Sequence, residues 1–376
     1  MAKYELTLPT SALVESTNVG ILSSNITKFY PKSVILQVTV NSEGLKLNHE
    51  TNGVLTQMFY PTSVEGDTDE FIGFIDSLKF KQILNTFSAT STQVQIDDNG
   101  MTLRNGKSKF HLPFIVDVSS VQLRAPHPIE DAEGEVVELE NSSWKFVHDY
   151  QLFACTKSFI QPQYVRLWVG DDSTVLTGDF QRGIFTKSYN SNLDTTCLLS
   201  TGVINVFSGF PDNTQIAKVD IKGSSYTLQY VADGYTVSAE CYVEFESDLG
   251  DYNAPIILTK FIDSVDSPFV LVMTDEIKKF LSQATILSDN LDNDIRLTIR
   301  DKQMILSTSK SELTVDVVNS DMSCEADFDL SVFKSAVAHM VDSEIYISPI
   351  YSGDSESVDG ITLWDDSISI VIATKN

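Results

Sequence analysis

Basic residues are scarce in this chain: 26 Lys and Arg face 52 Asp and Glu across 376 residues, a net charge of −26. Such a surface, taken as a whole, excludes ordinary patch-type binding of nucleic acid, because phosphate backbones are held by clustered cations that release counterions. Cysteine is sparse as well. Cys155, Cys197, Cys241 and Cys324 show no CxxC spacing, which argues against zinc sites and fits reduced, buried thiols. The histidines His49, His111, His127, His148 and His339 form neither HxH nor HExxH, and there is no GxSxG elbow or phosphate-binding glycine loop. An enzyme, the natural alternative for an acidic β-rich chain, is thus left without a recognisable catalytic centre. Asp289, Asp292 and Asp294 imitate the start of a calcium loop, but the required Gly and Glu further along are missing. No apolar run reaches the ~18 residues that span a bilayer. The opening MAKYELTLPTSALVE has neither a basic nor a long apolar leader region. The expectation is a cytoplasmic protein with no membrane association, no cofactor and no metal.

What the chain does have is repetition. A strand-hairpin signal starts at Val34 (VILQVTV), Tyr164 (YVRLWV) and Asp294 (DIRLTI), a period of 130 residues. A second set interleaves with it, starting at Val94 (VQIDDNGMTL), Ile216 (IAKVDIKGSSYTL) and Glu344 (EIYISPI). Fixed-period similarity indicates repeated architecture, here three units of two halves each. The joins divide the chain into 1–125, 126–260 and 261–376, with Pro126 and Pro128 bracketing His127 at the first join.

Ahead of each hairpin lies a stretch with helical spacing: 11–28, 76–87, 142–159, 200–210, 274–288 and 329–341. Ser142, Thr274 and Asp329 read as N-caps. Between the helices, short alternating runs such as DGYTVSAECYVEF read as antiparallel strands with one buried face. The fold class is therefore α+β, each half-unit being one helix laid on a small antiparallel sheet. Closure of such an array on itself would remove exposed sheet edges. The six helical stretches carry eight lysines against six carboxylates, a basic minority in an acidic chain. A single helix lysine usually marks only a solvated face, but lysine recurs in five of the six.

In these features the chain resembles the bacterial replicative DNA polymerase sliding clamp, the β-clamp, along its full length. The most specific pieces are FKQILNTFSATSTQVQIDDNGMTLRNGKSKFHLP at 80–113 and QATILSDNLDNDIRLTIRDKQMILSTSKSELTVDVV at 283–318. The first carries a G-[KR]-S-[KR]-F-x-L strand, the second an A-x-I-L-S helix end followed by an I-R-L strand. A weaker match is LTGDFQRGIFT at 176–186. The resemblance implies three repeated clamp domains, closed into a ring as a head-to-tail homodimer around duplex DNA. Helix lysines would face the phosphates and the acidic exterior would repel DNA, so that retention is topological. It implies a replicative DNA polymerase and a clamp loader as partners, and no catalysis. The ring would tether the polymerase and raise its effective concentration at the template.

Carried over residue by residue, the DNA-binding set is Lys28, Lys32, Lys79, Lys81, Lys145, Lys157, Lys278, Lys279 and Lys334. The ring interface would use Lys107, Lys109, Phe110 and Leu112 against Ile286, Leu287 and Glu312 of the other subunit. Read without the resemblance, Phe110, Ile286 and Leu287 are ordinary core residues of their own domains. A cleft for partner peptides would involve Tyr164, Gly178, Phe180, Arg182, Ala254, Pro255, Val332, Val358, Gly360, Ile370 and Ile372. The chain departs from the family at its ISIVIATKN terminus and at Phe180, which fits a divergent viral member. The competing non-enzymatic reading is a ring-shaped or β-rich structural module that does not encircle DNA.

Overall fold

The structure, a computed structural model, describes residues 3–21, 34–51, 53–67, 69–115, 123–140, 144–145, 147–149, 164–169, 174–179, 182–186, 197–245, 270–288, 293–317, 322–351, 357–365 and 368–375. In chain order, the first repeat has β1 (Tyr4–Pro9), α1 (Thr10–Gly20), β2 (Ile35–Asn41), β3 (Gly44–Thr51) and β4 (Val54–Pro61). It continues with β5 (Glu65–Gly66), β6 (Phe71–Asp76), α2 (Ser77–Leu84), β7 (Ser91–Asp97), β8 (Gly100–Asn105) and β9 (Ser108–Pro113). The second has β10 (Val137–Glu138), β11 (Tyr164–Val169), β12 (Thr174–Asp179), β13 (Arg182–Thr186) and β14 (Cys197–Ser200). It ends with α3 (Thr201–Gly209), β15 (Gln215–Lys218), β16 (Ser225–Ala232), β17 (Tyr235–Tyr242) and β18 (Glu244–Phe245). The third has β19 (Val270–Met273), α4 (Thr274–Leu287), β20 (Asp294–Arg300), β21 (Gln303–Ser307) and β22 (Glu312–Asp316). Last come β23 (Cys324–Asp329), α5 (Leu330–Ala338), β24 (Glu344–Tyr351), β25 (Val358–Trp364) and β26 (Ser369–Ala373).

All six hairpin starts read from the sequence fall on strands β2, β7, β11, β15, β20 and β24 or at their edge. Alternation explains why they were legible: β7 and β20 each bury every second residue, leaving Gln93, Gln95, Arg296 and Thr298 toward the other face. Helices α2, α3, α4 and α5 also lie within their expected stretches. The stretch expected at 11–28 is helical only to Gly20, where Ile21 turns extended; 22–28 lies outside the described residues, as does most of 142–159. Asp329 caps α5 as expected, accepting from the Ser331 and Val332 N–H groups at 2.8 and 3.1 Å. Thr274 does not cap α4. Met273 holds that position, while Thr274 is buried as the first helical residue and its Oγ1 donates to the Asp342 carbonyl at 2.6 Å. The acids Asp275 and Glu276 still sit in the first turn, where the dipole favours them. Ser142 lies outside the described residues.

Each helix is preceded by a strand that the sequence reading did not separate out, and this strand crosses to the sheet of the other half. β1 pairs with β7, β6 with β2, β19 with β24 and β23 with β20, all antiparallel; β14, ahead of α3, lies beside β11, and β10, ahead of the 142–159 stretch, pairs with β15. The halves of a repeat are thereby interlocked, and the helices pack in pairs, α1 with α2 and α4 with α5.

The chain divides into two compact units, Met1–His148 with Leu199–Glu244, and Asp149–Leu198 with Phe245–Asn376. Unit one contains a five-stranded sheet ordered β5-β1-β7-β8-β9 and an eight-stranded sheet ordered β10-β15-β16-β17-β4-β3-β2-β6. The second sheet is continuous across two repeats because β17 pairs antiparallel with β4, from Thr236 opposite Phe59 to Cys241 opposite Val54. Unit two holds the four-stranded order β22-β21-β20-β23 and, within a larger sheet, the run β11-β12-β13-β26-β25-β24-β19. Here β13 pairs antiparallel with β26, from Arg182 opposite Ile372 to Phe185 opposite Ser369. The boundary between units thus cuts the middle repeat, whose halves bond to different neighbours. The cores are aliphatic and aromatic; Leu13, Leu36, Tyr60, Phe80, Phe207, Phe328 and Phe333 are fully enclosed.

Candidate nucleic-acid interface and sheet edges

The helix lysines separate into two groups. Lys79, Lys145 and Lys279 are exposed, and Lys79 is only loosely paired with Asp76, at 3.6 Å. These are solvent-exposed cations able to meet a phosphate. Lys81 and Lys278 are half-buried and already engaged. Lys81 Nζ donates to the Ile21 carbonyl just past α1 at 2.7 Å, and Lys278 Nζ donates to the Met340 carbonyl just past α5 at 2.7 Å. Each is the fifth residue of its helix, and each reaches the C-terminal end of the paired helix, where unsatisfied carbonyls and the dipole favour a cation. Burial holds the Lys81 pKa below its ordinary value. Lys334 is half-buried on α5. Lys28, Lys32 and Lys157 lie outside the described residues.

Among the strands that end their sheets in the described residues, β9 in the five-stranded sheet and β22 in the four-stranded one are each the last strand of a half-unit, the position that β4, β13, β17 and β26 use to join repeats. Lys107 and Lys109 are exposed at β9, and Glu312 and Asp316 at β22, so the two edges carry opposite charge. Beside β22, Ile286 and Leu287 end α4 with 82% and 49% of their surface exposed, which removes the reading of them as core residues. Phe110 is half-buried, its ring 5.7 Å from that of Phe87. Leu112 differs from its expected role. It is 3% exposed and faces its own core, because the strand alternation that turns Lys109 and His111 outward turns Leu112 in.

Of the expected peptide-cleft residues, Tyr164, Gly178 and Arg182 lie on β11, β12 and β13, and Phe180, Ala254 and Pro255 lie outside the described residues. Val332 and Val358 are half-exposed. Ile370 and Ile372 are not available to a ligand: both are completely enclosed in β26. Gly360 serves the sheet, since a Cβ there would stand 2.7 Å from the Ile372 carbonyl oxygen.

One polar cluster had no local signature in the sequence. Arg124 makes a bidentate pair with Glu240 of β17 at 2.6 and 2.7 Å, and the His127 N–H donates to the same carboxylate at 2.9 Å. The His127 carbonyl accepts from Thr227 Oγ1, and the Leu123 N–H donates to Gln37 Oε1. The 123–127 segment is thus strapped across the sheet that joins the first two repeats. Burial pushes the Glu240 pKa up, but the Arg124 and His127 hydrogen bonds outweigh it and hold the carboxyl below its ordinary value. Asp294, from the calcium-like run, is ion-paired with Lys375, and no cluster among the described residues has the makings of a metal site. No described helix is long and apolar enough to cross a membrane.

Interlocked helix-and-sheet halves, repeated and joined edge to edge, define the class as a DNA-clamp fold. Solved structures of bacterial clamps share it from end to end. The DNA polymerase III β subunit of Thermotoga maritima superposes with a TM-score of 0.74 at 13% identity, covering 99% of both chains. The DNA polymerase sliding clamp of Bacillus subtilis gives 0.70 at 15% identity with 100% of both chains covered. A putative β subunit from Eubacterium rectale gives 0.75 at 13%, covering 99% of this chain and 100% of that one. No protein-family description and no curated sequence matches the chain.

Proposed function

We propose that this chain is a DNA sliding clamp: a homodimeric ring that encircles duplex DNA and tethers a replicative polymerase, placed on DNA by a clamp loader. The observation that carries the proposal is the pattern of free edges. Within the chain, the last strand of a first half-unit pairs with the last strand of the following repeat's second half, β4 with β17 and β13 with β26. Applied once more, the rule leaves β22 of the third repeat and β9 of the first without this partner among the described residues. A second copy, added head to tail, supplies each free edge with the strand that the rule demands. Opposite charge at Lys107 and Lys109 against Glu312 supports this pairing, as do the exposed Ile286 and Leu287.

On this reading, the domains are 1–125, 126–260 and 261–376, and two chains give a six-domain ring. Lys79, Lys145, Lys279 and Lys334, with Lys28, Lys32 and Lys157, present cations to the duplex. Contacts of this kind hold phosphates weakly and without sequence preference, so the ring slides. The net charge of −26 is compatible with DNA only if the basic groups are confined to the enclosed face. The second-to-third-domain cleft accepts partner peptides through Val332 and Val358, flanked by β12 and β13. No chemical step belongs to this function. Sedimentation equilibrium tests the proposal: a species of twice 41.7 kDa supports it, and a monomer at all concentrations refutes the ring.

A further inference from the structure

We infer that Lys310 is a positioning residue for ring closure, a clasp that fixes the exposed end of α4 against the free edge strand β22. The inference rests on the homodimer proposed above. Ile286 and Leu287 are the last two residues of α4, where the final carbonyls lack intrahelical partners and the last turn tends to fray. The Leu287 carbonyl accepts from Lys310 Nζ at 3.0 Å. Lys310 is itself held in a closed turn leading into β22. There the Thr308 N–H donates to the Ser311 carbonyl at 2.8 Å, the two hydroxyls lie 2.8 Å apart, and the Lys310 N–H donates to Thr308 Oγ1 at 3.3 Å. One cation therefore ties the two elements that carry the apolar pair and the acidic edge, at a helix C-terminus where the dipole favours positive charge.

The other free edge has a counterpart in the same place. Asn105, ending β8 at the turn into β9, is 5% exposed and its Oδ1 accepts from the Ser88 and Ala89 N–H groups at 3.1 and 2.9 Å. Its Nδ2 donates to the Ala89 and Ser91 carbonyls, both at 3.1 Å. The chain leaving α2, including Phe87, is thus fastened to the hairpin of β9 as the end of α4 is fastened to the hairpin of β22. A contact surface fixed before association spares the entropy of ordering it on binding, and that saving appears in the dimer affinity.

The test compares dimer dissociation constants, by sedimentation, for wild type, Lys310→Met, Lys310→Arg and Lys222→Met, alongside urea unfolding of each. Lys222→Met removes the same charge from another exposed turn without touching the clasp. The expected result is a dissociation constant raised about fivefold in Lys310→Met, the scale of one charged hydrogen bond at an exposed site. Lys310→Arg, which keeps a donor, should stay near wild type, and Lys222→Met should be unchanged. A wild-type dimer unaffected by Lys310→Met, an equal loss in Lys222→Met, failure of Lys310→Arg to restore affinity, or a matching loss of unfolding stability would each overturn the clasp. A wild type that never dimerises would instead remove the ring on which it rests.

Discussion

Lys79 and Lys81 stand two residues apart on α2 and have different fates, because a helix turns them to different neighbours. Lys81 is spent on the end of α1, as Lys278 is on the end of α5. Replacing either by Met is expected to lower the unfolding free energy by about 1 kcal/mol, while Lys79→Met and Lys279→Met change it by less than about 0.5 kcal/mol. Urea denaturation midpoints measure the difference. Equal effects across the four would remove the distinction. Glu240 gives a pH dependence whose sign is fixed by its lowered pKa. A carboxyl held below its ordinary value of 4.5 stabilises the fold fully above that value and loses the contribution as pH falls through the lowered folded one. Glu240→Gln should cost about 1–2 kcal/mol at neutral pH, moderated by the exposure of Arg124, and flatten the acid side of the stability curve. A variant whose loss is the same at pH 3 and pH 7 would contradict this. Lysine pairing of this kind was not legible in the sequence: helical spacing identifies a face, but the carbonyl that meets it comes from 60 residues away for Lys81 and 62 for Lys278.

At the scale of elements, the hairpins were legible because alternation is local, and the helix of α5 because Asp329 caps it where a cap is needed. The crossing strands were not, since β1 and β6 have the same alternating pattern whichever sheet they join. The same limit hid the burial of Leu112, Ile370 and Ile372, which the resemblance placed at the ring interface and the peptide cleft: strand spacing tells which residues share a face, and only the packed sheet tells which face is covered. The end of α4 is the clearest case in the other direction. Isoleucine and leucine in a helix ordinarily mark core, yet Ile286 and Leu287 are open to solvent. The double substitution Ile286→Ala with Leu287→Ala is expected to yield monomers whose far-ultraviolet circular dichroism matches wild type. Persistence of a dimer in light scattering would refute their place in ring closure. Gly360→Ala should act within a chain instead, parting β25 from β26 where the added Cβ meets the Ile372 carbonyl. An expected loss of about 1–3 kcal/mol is checked by thermal melting of the purified variant.

For the whole molecule, the acidic composition and the scattered lysines acquire one explanation if the ring closes around DNA. A chain of this charge would repel a duplex from its exterior, and affinity alone would not hold it. Retention by topology needs no strong contact, only an unbroken ring and an unbroken DNA circle. The most direct measurement loads the fluorescent protein on nicked circular DNA with its matching loader, removes free protein, and follows retention before and after a single cut linearises the circle. Long residence on the circle with prompt release on linear DNA is the predicted result. Equal loss from both forms, varying only with salt, would contradict encirclement.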